Sequence, residues 1–321
     1  MREFHSVLSQ DMREFVDFQT AIGCWNSTYE TYLHLFDKHC SQIYPGEDTL
    51  TREMVDTFCA QRTTEIANSC RVRSYAIANF VAFLRKRGVV DISPPAIPAK
   101  RPSGYIPHAF TESELDRFFS ASNNLPLGKP NALASRLRRV TTPVFFRLLY
   151  SSGIRTYEAR MLTVGDVDLA NGVLNIRKSK GYGQHYVALH ETMADLLRKY
   201  DRAVRHICPD RTYFFPSPRG SFLSKEWVGQ IFRLIWKKVN ASHAIAYEFR
   251  HNYAVENINQ WTGEEFGFFA KLVYLSKSMG HTTLESTKYY FHLAPAMFDV
   301  LQELTSSGFD DIVPEAPYEE S

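Results

Sequence analysis

The chain has 321 residues, of which 44% are hydrophobic and 14% aromatic, so it is long enough for two domains with their own cores. No apolar run approaches the roughly 18 residues of a membrane span, and the first residues do not resemble a signal peptide. The net charge is only +2, which by itself says nothing about partners. These features favour a soluble cytoplasmic protein without membrane association.

The cysteines and the distribution of charge indicate which kinds of protein and partner the sequence fits. The five cysteines, at positions 24, 40, 59, 70 and 208, form no C-x-x-C pair, which argues against a disulfide framework and against a zinc site. Residues 102–304 contain 25 Lys and Arg against 18 Asp and Glu, whereas residues 305–321 contain five acids and no cation. A middle region with this excess of cations is consistent with a polyanionic partner.

Residues 1–91 are predicted to form a bundle of four short helices, because apolar residues recur three and four apart in four stretches. The predicted helices are 9–22, 27–44, 51–62 and 68–87. Basic residues gather towards the ends of the last helix, namely Arg71, Arg73, Arg85, Lys86 and Arg87. Such a cluster is either an ordinary solvated face or a surface that contacts phosphate.

A proline-rich stretch, residues 92–109, follows the bundle. It holds five prolines within 14 residues, which disfavours helix and sheet alike. The stretch is therefore predicted to be an extended linker, and it carries the cations Lys100 and Arg101. We place the domain boundary here.

Residues 110–304 are predicted to combine helices with a small antiparallel sheet. A capping box at residues 111–114 begins the first helix, and a long helical pattern over residues 133–152 ends at Gly153. The apolar period changes to two over residues 164–189, around an Asn171-Gly172 turn, which predicts three strands. Helices are then predicted over 191–206, 224–239, 248–260, 265–279, 284–292 and 294–304. The acidic residues 305–321 are too polar to pack and are predicted to be a mobile tail.

Two arginines and a lysine occupy distinctive places in this second domain. Arg155 follows the glycine helix stop and precedes Glu158, and Arg250 lies in Tyr-Glu-Phe-Arg-His at the start of a helix. Each arginine alone is an ordinary surface cation or ion pair, but two together bind both nonbridging oxygens of one phosphate. Lys180 lies in the loop between two predicted strands, where a lysine either improves solubility or reaches a leaving oxygen.

The final motif joins a histidine and a tyrosine. Gly280 is predicted to end one helix, His281 follows in the bend, and Tyr290 lies nine residues further in the next helix. A tyrosine hydroxyl near a histidine is either a nucleophile with a hydrogen-bonding partner or one of two amphipathic side chains in a core.

Taken in order, Gly-Ile-Arg-x-x-Glu, the hairpin lysine, Tyr-x-x-Arg-His, Gly-His and Tyr resemble the motifs of the tyrosine recombinase (phage integrase) family. The resemblance covers nearly the whole chain. It implies a mainly α protein with a small sheet (α+β), in which residues 1–91 are a helical core-binding, SAM-like DNA-binding domain and residues 110–304 a mixed α/β catalytic domain. The catalytic residues that it implies are Arg155, Lys180, Tyr247, Arg250, His281 and Tyr290.

The chemistry implied by the resemblance is attack of Tyr290, rather than Tyr289, on a DNA phosphodiester. The products are a 3′-phosphotyrosyl enzyme and a 5′-hydroxyl that Lys180 protonates, and neither a metal nor another cofactor is expected. Glu158 is expected to orient the first motif. Tyr247 departs from the family, which usually has histidine there. A phenol with a reference pKa of about 10 is a poor general base, so either another group removes the proton or Tyr247 only positions.

The resemblance also implies partners: double-stranded DNA recombination sites, further copies of the chain in a homotetramer on DNA, and an accessory directionality protein. Lys100 and Arg101 join the basic cluster as expected DNA contacts. The apolar face of residues 294–304 is predicted to dock on a neighbouring protomer, the alternative being that it folds back on its own domain.

Two other functions stay open, a type IB topoisomerase and a catalytically inactive DNA-binding relative. Integration, excision and dimer resolution are equally compatible with the motifs.

Overall fold

The computed structural model describes residues 3–25, 27–101, 105–126, 129, 131–177, 183–261 and 267–294. The chain divides into two compact units, Met1–Tyr105 and Ile106–Ser321. The boundary falls within residues 92–109, whose described part contains no helix or strand. The architecture is mainly helical with one three-stranded antiparallel sheet, which confirms the predicted fold class.

The first unit is a helical bundle. Its helices are α1 (Ser9–Ala21), α2 (Ser27–Ile43), α3 (Arg52–Cys59) and α4 (Ala67–Lys86). Three of them contribute phenylalanines to one core: Phe15 and Phe36 each contact Phe80, with ring centroids 5.4 and 6.4 Å apart. Thr51 caps α3, because its side chain accepts a hydrogen bond from the Met54 amide. The apolar periodicity of the sequence thus produces the bundle that it predicts.

The second unit surrounds its sheet with helices. The helices described are α5 (Glu112–Asn123), α6 (Leu133–Ser152), α7 (Thr156–Met161), α8 (Glu191–Arg205), α9 (Lys225–Val239), α10 (Glu248–Trp261), α11 (Phe268–Ser278) and α12 (Glu285–Lys288). The strands are β1 (Val167–Asp168), β2 (Val173–Ile176) and β3 (His185–Ala188), in the order β1-β2-β3. Ile176 pairs with His185 in the β2–β3 register. Short 3-10 helices cover Val164–Asp166 and Tyr289–Leu293.

An aromatic core fixes the helix that carries Arg250. Phe118 on α5 and Phe146 on α6 both contact Phe249 on α10, with ring centroids 5.5 and 6.4 Å apart. All three rings are fully buried, and truncation of such a ring typically costs about 3–5 kcal/mol. Because Arg250 is the next residue after Phe249, this core determines where the start of α10 lies.

Two local features differ from the prediction. The six-residue helix α7 was not predicted, since so short a segment shows no apolar period. Residues 284–292 were predicted as one α-helix, whereas α12 ends at Lys288 and continues as the 3-10 helix Tyr289–Leu293, which has about three residues per turn. The helix predicted for residues 294–304 lies outside the described residues after Ala294, as does the tail 305–321.

Candidate active site

Two glycines create the bends on which the site is built. Gly153 ends α6 and Gly280 follows α11, each with φ of 63°. A Cβ atom at Gly153 would lie 2.3 Å from Tyr253 Cδ1, and one at Gly280 would lie 2.5 Å from His185 Cε1. Both positions therefore require glycine, because the backbone is left-handed and a side chain has no space.

Arg155 is held by an acid and by the second bend. Glu158 accepts hydrogen bonds from the Arg155 amide at 2.8 Å and from Nη1 at 2.7 Å. The same guanidinium donates to the carbonyl oxygens of Met279 at 3.2 Å and Gly280 at 3.1 Å. Glu158 is buried, so it orients the first motif as the sequence suggested.

Arg250 lies deeper and is bound by neutral acceptors. Its Nη1 donates to the Gly153 carbonyl at 2.7 Å, and Nη2 donates to the Met279 carbonyl at 2.8 Å and to Nε2 of His281 at 2.9 Å. Burial lowers the pKa of Arg250 below its usual value, and the charge of Arg155 adds to this effect. Arginine nevertheless stays protonated in proteins, so a positive charge is buried at this point.

One carbonyl oxygen brings the two arginines together, since that of Met279 accepts from both Arg155 and Arg250. The residues are 95 positions apart in the chain, and the bend that joins them is a further 29 residues beyond Arg250. The structure therefore brings both guanidiniums to one bend, as two-arginine phosphate binding requires.

The hydrogen bonds of His281 define its tautomer. Arginine has no acceptor, so Nε2 accepts from Arg250 and Nδ1 donates to Thr287 Oγ1 at 2.7 Å. Burial, followed by the charges of Arg250 and Arg155, lowers the pKa of His281 to about 4. The imidazole is therefore neutral near pH 7.

Tyr290 is buried beside these groups. Its ring is 3% exposed, whereas Tyr289 is 44% exposed. The Tyr290 ring stacks on His281 with centroids 6.1 Å apart and lies 5.5 Å from the ring of His251. Burial raises the pKa of Tyr290, and the guanidinium of Arg250 opposes this rise. Of the two neighbouring tyrosines, Tyr290 is the one that faces the arginines.

Tyr247 lies at the rim, just before α10, and is 40% exposed. Its phenol is close enough to contribute to the raised pKa of Tyr290. The next residue, Glu248, is buried and accepts hydrogen bonds from the amides of Ile245 at 2.6 Å and His108 at 3.1 Å. These bonds fix the turn that brings Tyr247 towards the site.

The hairpin lysine cannot be placed in this way. Lys180 lies outside the described residues, which end at Arg177 and resume at Gly183. Its expected role therefore stays a prediction from the sequence.

In the first unit, one predicted phosphate contact is wrong. Arg73 is buried on α4, where Nη2 forms an ion pair with Glu65 and donates to the Ala60 carbonyl, both at 2.8 Å. It lies on the same face as Ile77 and Phe80, four and seven residues further on. Arg71 is partly exposed and donates to the Pro98 carbonyl. The other predicted contacts are exposed, namely Arg85, Lys86, Arg87, Lys100 and Arg101.

Two histidines of the site were missed at the sequence level. His251 follows Arg250 directly and packs against Tyr247 and Tyr290, with centroids 5.3 and 5.5 Å away. His185 begins β3 and packs against Gly280. The only sequence signal for His251 is its place beside Arg250, and His185 has no signal beyond its position in a strand.

Among the described residues, no group of three or more His, Cys, Asp or Glu side chains is arranged to hold a metal ion. No helix in that part of the chain is long and apolar enough to cross a membrane.

The chain is similar in sequence to known recombinases. The model of the phage integrase family matches residues 108–297. The chain is 25% identical over 258 residues to the tyrosine recombinase XerC of Lactobacillus delbrueckii, covering 78% of this chain and 81% of XerC.

Two solved structures share the fold. One is the XerH site-specific recombinase bound to difH substrate, with a TM-score of 0.60 and 17% identity, covering 89% of this chain and 82% of XerH. The other is the Tn1549 transposon integrase in complex with transposon right end DNA, with a TM-score of 0.61 and 13% identity, covering 92% of this chain and 98% of the integrase chain in that structure.

The fold and the site together define a tyrosine recombinase, the class of enzyme that breaks and rejoins DNA. Because the family model matches more than half of its length, the chain belongs to the phage integrase family.

Proposed function

We propose that Tyr290 is the nucleophile of a site-specific recombination reaction. Its hydroxyl oxygen attacks the scissile phosphorus, the bond from phosphorus to the 5′-oxygen breaks, and a 3′-phosphotyrosyl link forms. The observation that carries this assignment is the meeting of Arg155 and Arg250 at the Met279 carbonyl beside the buried Tyr290. The burial of Tyr290 beside these arginines supports it, rather than Tyr289, as the tyrosine that attacks a phosphate bound there.

The two arginines bind the scissile phosphate in this proposal. The hydrogen-bond acceptors of Arg250 are neutral, so they orient its charge without cancelling it. Preorganised cations of this kind stabilise the charge that develops on the nonbridging oxygens, and loss of one such donor typically costs about 10²- to 10³-fold in rate. His281 accepts a hydrogen bond from Nη2 of Arg250 through its Nε2 and so helps to orient that guanidinium for the phosphate.

Burial keeps the Tyr290 phenol protonated near pH 7, so its proton passes to a base as the oxygen attacks. We assign that role to His251, whose pKa is lowered by burial, so that its imidazole is neutral near pH 7, and whose ring centroid lies 5.5 Å from that of Tyr290. Tyr247 is itself a phenol, so we assign it a positioning role at the rim. Lys180 protonates the departing 5′-oxygen, as the resemblance implies.

The substrate we propose is a pair of double-stranded DNA recombination sites, bound by a homotetramer, with an accessory directionality protein setting the direction. This proposal is supported by the two solved structures, of which XerH is bound to difH substrate and the Tn1549 integrase to transposon right end DNA. Cations of the first unit supply phosphate contacts: the partly exposed Arg71 and the exposed Arg85, Lys86, Arg87, Lys100 and Arg101. Contacts of this type determine affinity and register rather than sequence specificity.

A suicide DNA substrate, nicked near the cleavage point, tests the nucleophile. We expect Tyr290→Phe to abolish the covalent protein–DNA complex and the matched control Tyr289→Phe to retain it. The reverse result would overturn the assignment.

A plasmid relaxation assay separates the alternatives. Relaxation of DNA without a specific site would indicate a type IB topoisomerase, and the absence of any tyrosine-dependent adduct would indicate an inactive DNA-binding relative.

Assembly is tested by truncation after Leu293, which removes the apolar segment 294–304. We expect the truncated protein to bind a half-site but to lose cooperative occupancy of a full site and strand exchange. Loss of the cooperative thermal transition would instead show that the segment belongs to the core of its own domain.

A further inference from the structure

His185 is a partly buried histidine that the proposed reaction does not use. It is the first residue of β3 and pairs with Ile176 of β2. A Cβ atom at Gly280 would lie 2.5 Å from Cε1 of His185, 2.9 Å from Nδ1 and 3.0 Å from Nε2. The edge of the ring that carries both nitrogens is therefore directed at the backbone of Gly280.

Packing alone does not account for a histidine at this position. Both ring nitrogens are buried, and within the described residues neither has a partner at hydrogen-bond distance and angle. The backbone of Gly183 is close enough to raise the pKa of the ring. Burying an unsatisfied polar edge costs free energy that an apolar side chain of similar size would not lose. Such groups in native proteins often mark functional sites.

The surroundings of His185 are those of the active site. Burial lowers its pKa, the charges of Arg155 and Arg250 act in the same direction, and the carboxylate of Glu158 opposes them. His185 in turn contributes to the lowered pKa of His281. The imidazole is neutral near pH 7 and lies within electrostatic reach of both guanidiniums.

The bend that His185 touches supplies the acceptors of both arginines. The carbonyl of Met279 accepts from Arg155 and Arg250, and the carbonyl of Gly280 accepts from Arg155. A shift of this bend would therefore move both guanidiniums, and a misplacement of about 1 Å can cost about 10²-fold in rate.

We propose that His185 is a positioning residue, which holds the Met279–Gly280 bend so that Arg155 and Arg250 are aligned for the scissile phosphate. The assignment rests on the proposed function, in which these two arginines bind that phosphate.

Single-turnover cleavage on two suicide substrates tests the proposal. One substrate has the natural scissile phosphate, and in the other a methyl group replaces a nonbridging oxygen and removes its negative charge. The enzymes compared are wild type, His185→Ala, Arg155→Ala and, as a control with an exposed histidine, His243→Ala. His185→Gln is included as a milder variant in case His185→Ala does not unfold cooperatively on heating.

On the natural substrate, we expect His185→Ala to cleave about 10- to 100-fold more slowly than wild type, with DNA affinity unchanged within about 3-fold. Relative to wild type, the deficits of His185→Ala and Arg155→Ala should both shrink on the methyl substrate, because the aligned positive charge matters less there. His243→Ala should match wild type on both substrates.

The outcomes distinguish failure of the positioning role of His185 from failure of phosphate binding by the arginines. An equal deficit of the His185 variant on both substrates indicates general structural damage, and no deficit on the natural substrate indicates no role; either result overturns the proposal. If Arg155→Ala itself shows no charge-dependent deficit, the proposed phosphate binding fails first.

A double-mutant cycle examines the contact with the bend directly. Gly280→Ala introduces a Cβ atom against the ring, so adding His185→Ala to it should recover part of the lost cleavage. Strictly additive losses in that cycle would contradict the contact on which the proposal stands.

Discussion

Two buried arginines, one in each unit, behave differently. Arg73 of the bundle has a side chain 2% exposed and forms a 2.8 Å ion pair with Glu65. Arg250 is equally buried, but its partners are two carbonyl oxygens and an imidazole nitrogen. Within the described residues, Arg250 forms no ion pair with a carboxylate.

The difference separates a structural cation from a functional one. Arg73 is paired with Glu65 and its side chain is only 2% exposed, so it cannot meet an incoming phosphate. Arg155 is also paired with an acid, Glu158, but 14% of its side chain stays exposed. Neutral acceptors hold Arg250 in place and leave its charge to meet a negatively charged substrate, at a cost in desolvation. Orientation by neutral acceptors, in addition to burial, is thus what distinguishes Arg250 from Arg73.

The largest expected effect is on catalysis. Arg250→Ala and Arg155→Ala should each reduce single-turnover cleavage by about 10²- to 10³-fold or more, yet retain most DNA affinity, because binding is spread over many phosphate contacts. Cleavage and gel shift would be measured together at fixed salt. A parallel loss of both would mean that these are ordinary binding residues.

Arg73→Met tests whether Arg73 serves the stability of the bundle rather than DNA binding. It leaves Glu65 without its partner and should lower the free energy of unfolding by about 3 kcal/mol, while the folded protein cleaves normally. The exposed pair of Arg87 with Glu14 supplies the control, since Arg87→Met should cost less than about 1 kcal/mol. Unchanged stability with weakened DNA binding in Arg73→Met would restore it as a phosphate contact.

A smaller effect is expected at the rim beside Arg250. Tyr247→His introduces the group that the family usually has, with a reference pKa of about 6.5. We expect cleavage near neutral pH to be equal to or faster than that of wild type, measured as single-turnover rates from about pH 6 to 9. A large loss of activity would show that the phenol has a role of its own.

The smallest effect concerns pH and stability. The pKa of His281 is lowered to about 4 by burial and by Arg250 and Arg155, whereas an unfolded histidine titrates at about 6.5. Its stabilising contribution is therefore complete above pH 6.5 and is lost as the pH falls towards 4.

Thermal unfolding measured over that range should thus show a shallower acid loss in His281→Asn than in wild type. Part of the slope should persist, because burial lowers the pKa of His185 and His251 as well. Identical slopes in the variant and the wild type would refute the lowered pKa of His281.

Local signals in the sequence predicted most of the secondary structure and indicated the family. The change of apolar period from 3.6 to two predicted the helices and the small sheet, and Gly153 and Gly280 marked the bends because few other residues adopt a left-handed backbone. The order and spacing of the motifs indicated the family and favoured Tyr290 over Tyr289. Each of these signals depends on residues close together in the chain.

Tertiary structure decided the features that depend on distant residues. The bond from Arg250 to Gly153 spans 97 positions, and that from Arg155 to Gly280 spans 125, so no local pattern predicts them. A cluster of cations does not reveal which member turns inward, and Arg73 does so because it shares the apolar face of α4. His185 became part of the site only because β3 packs against a glycine bend 95 residues later, where the absence of a side chain leaves space for its ring.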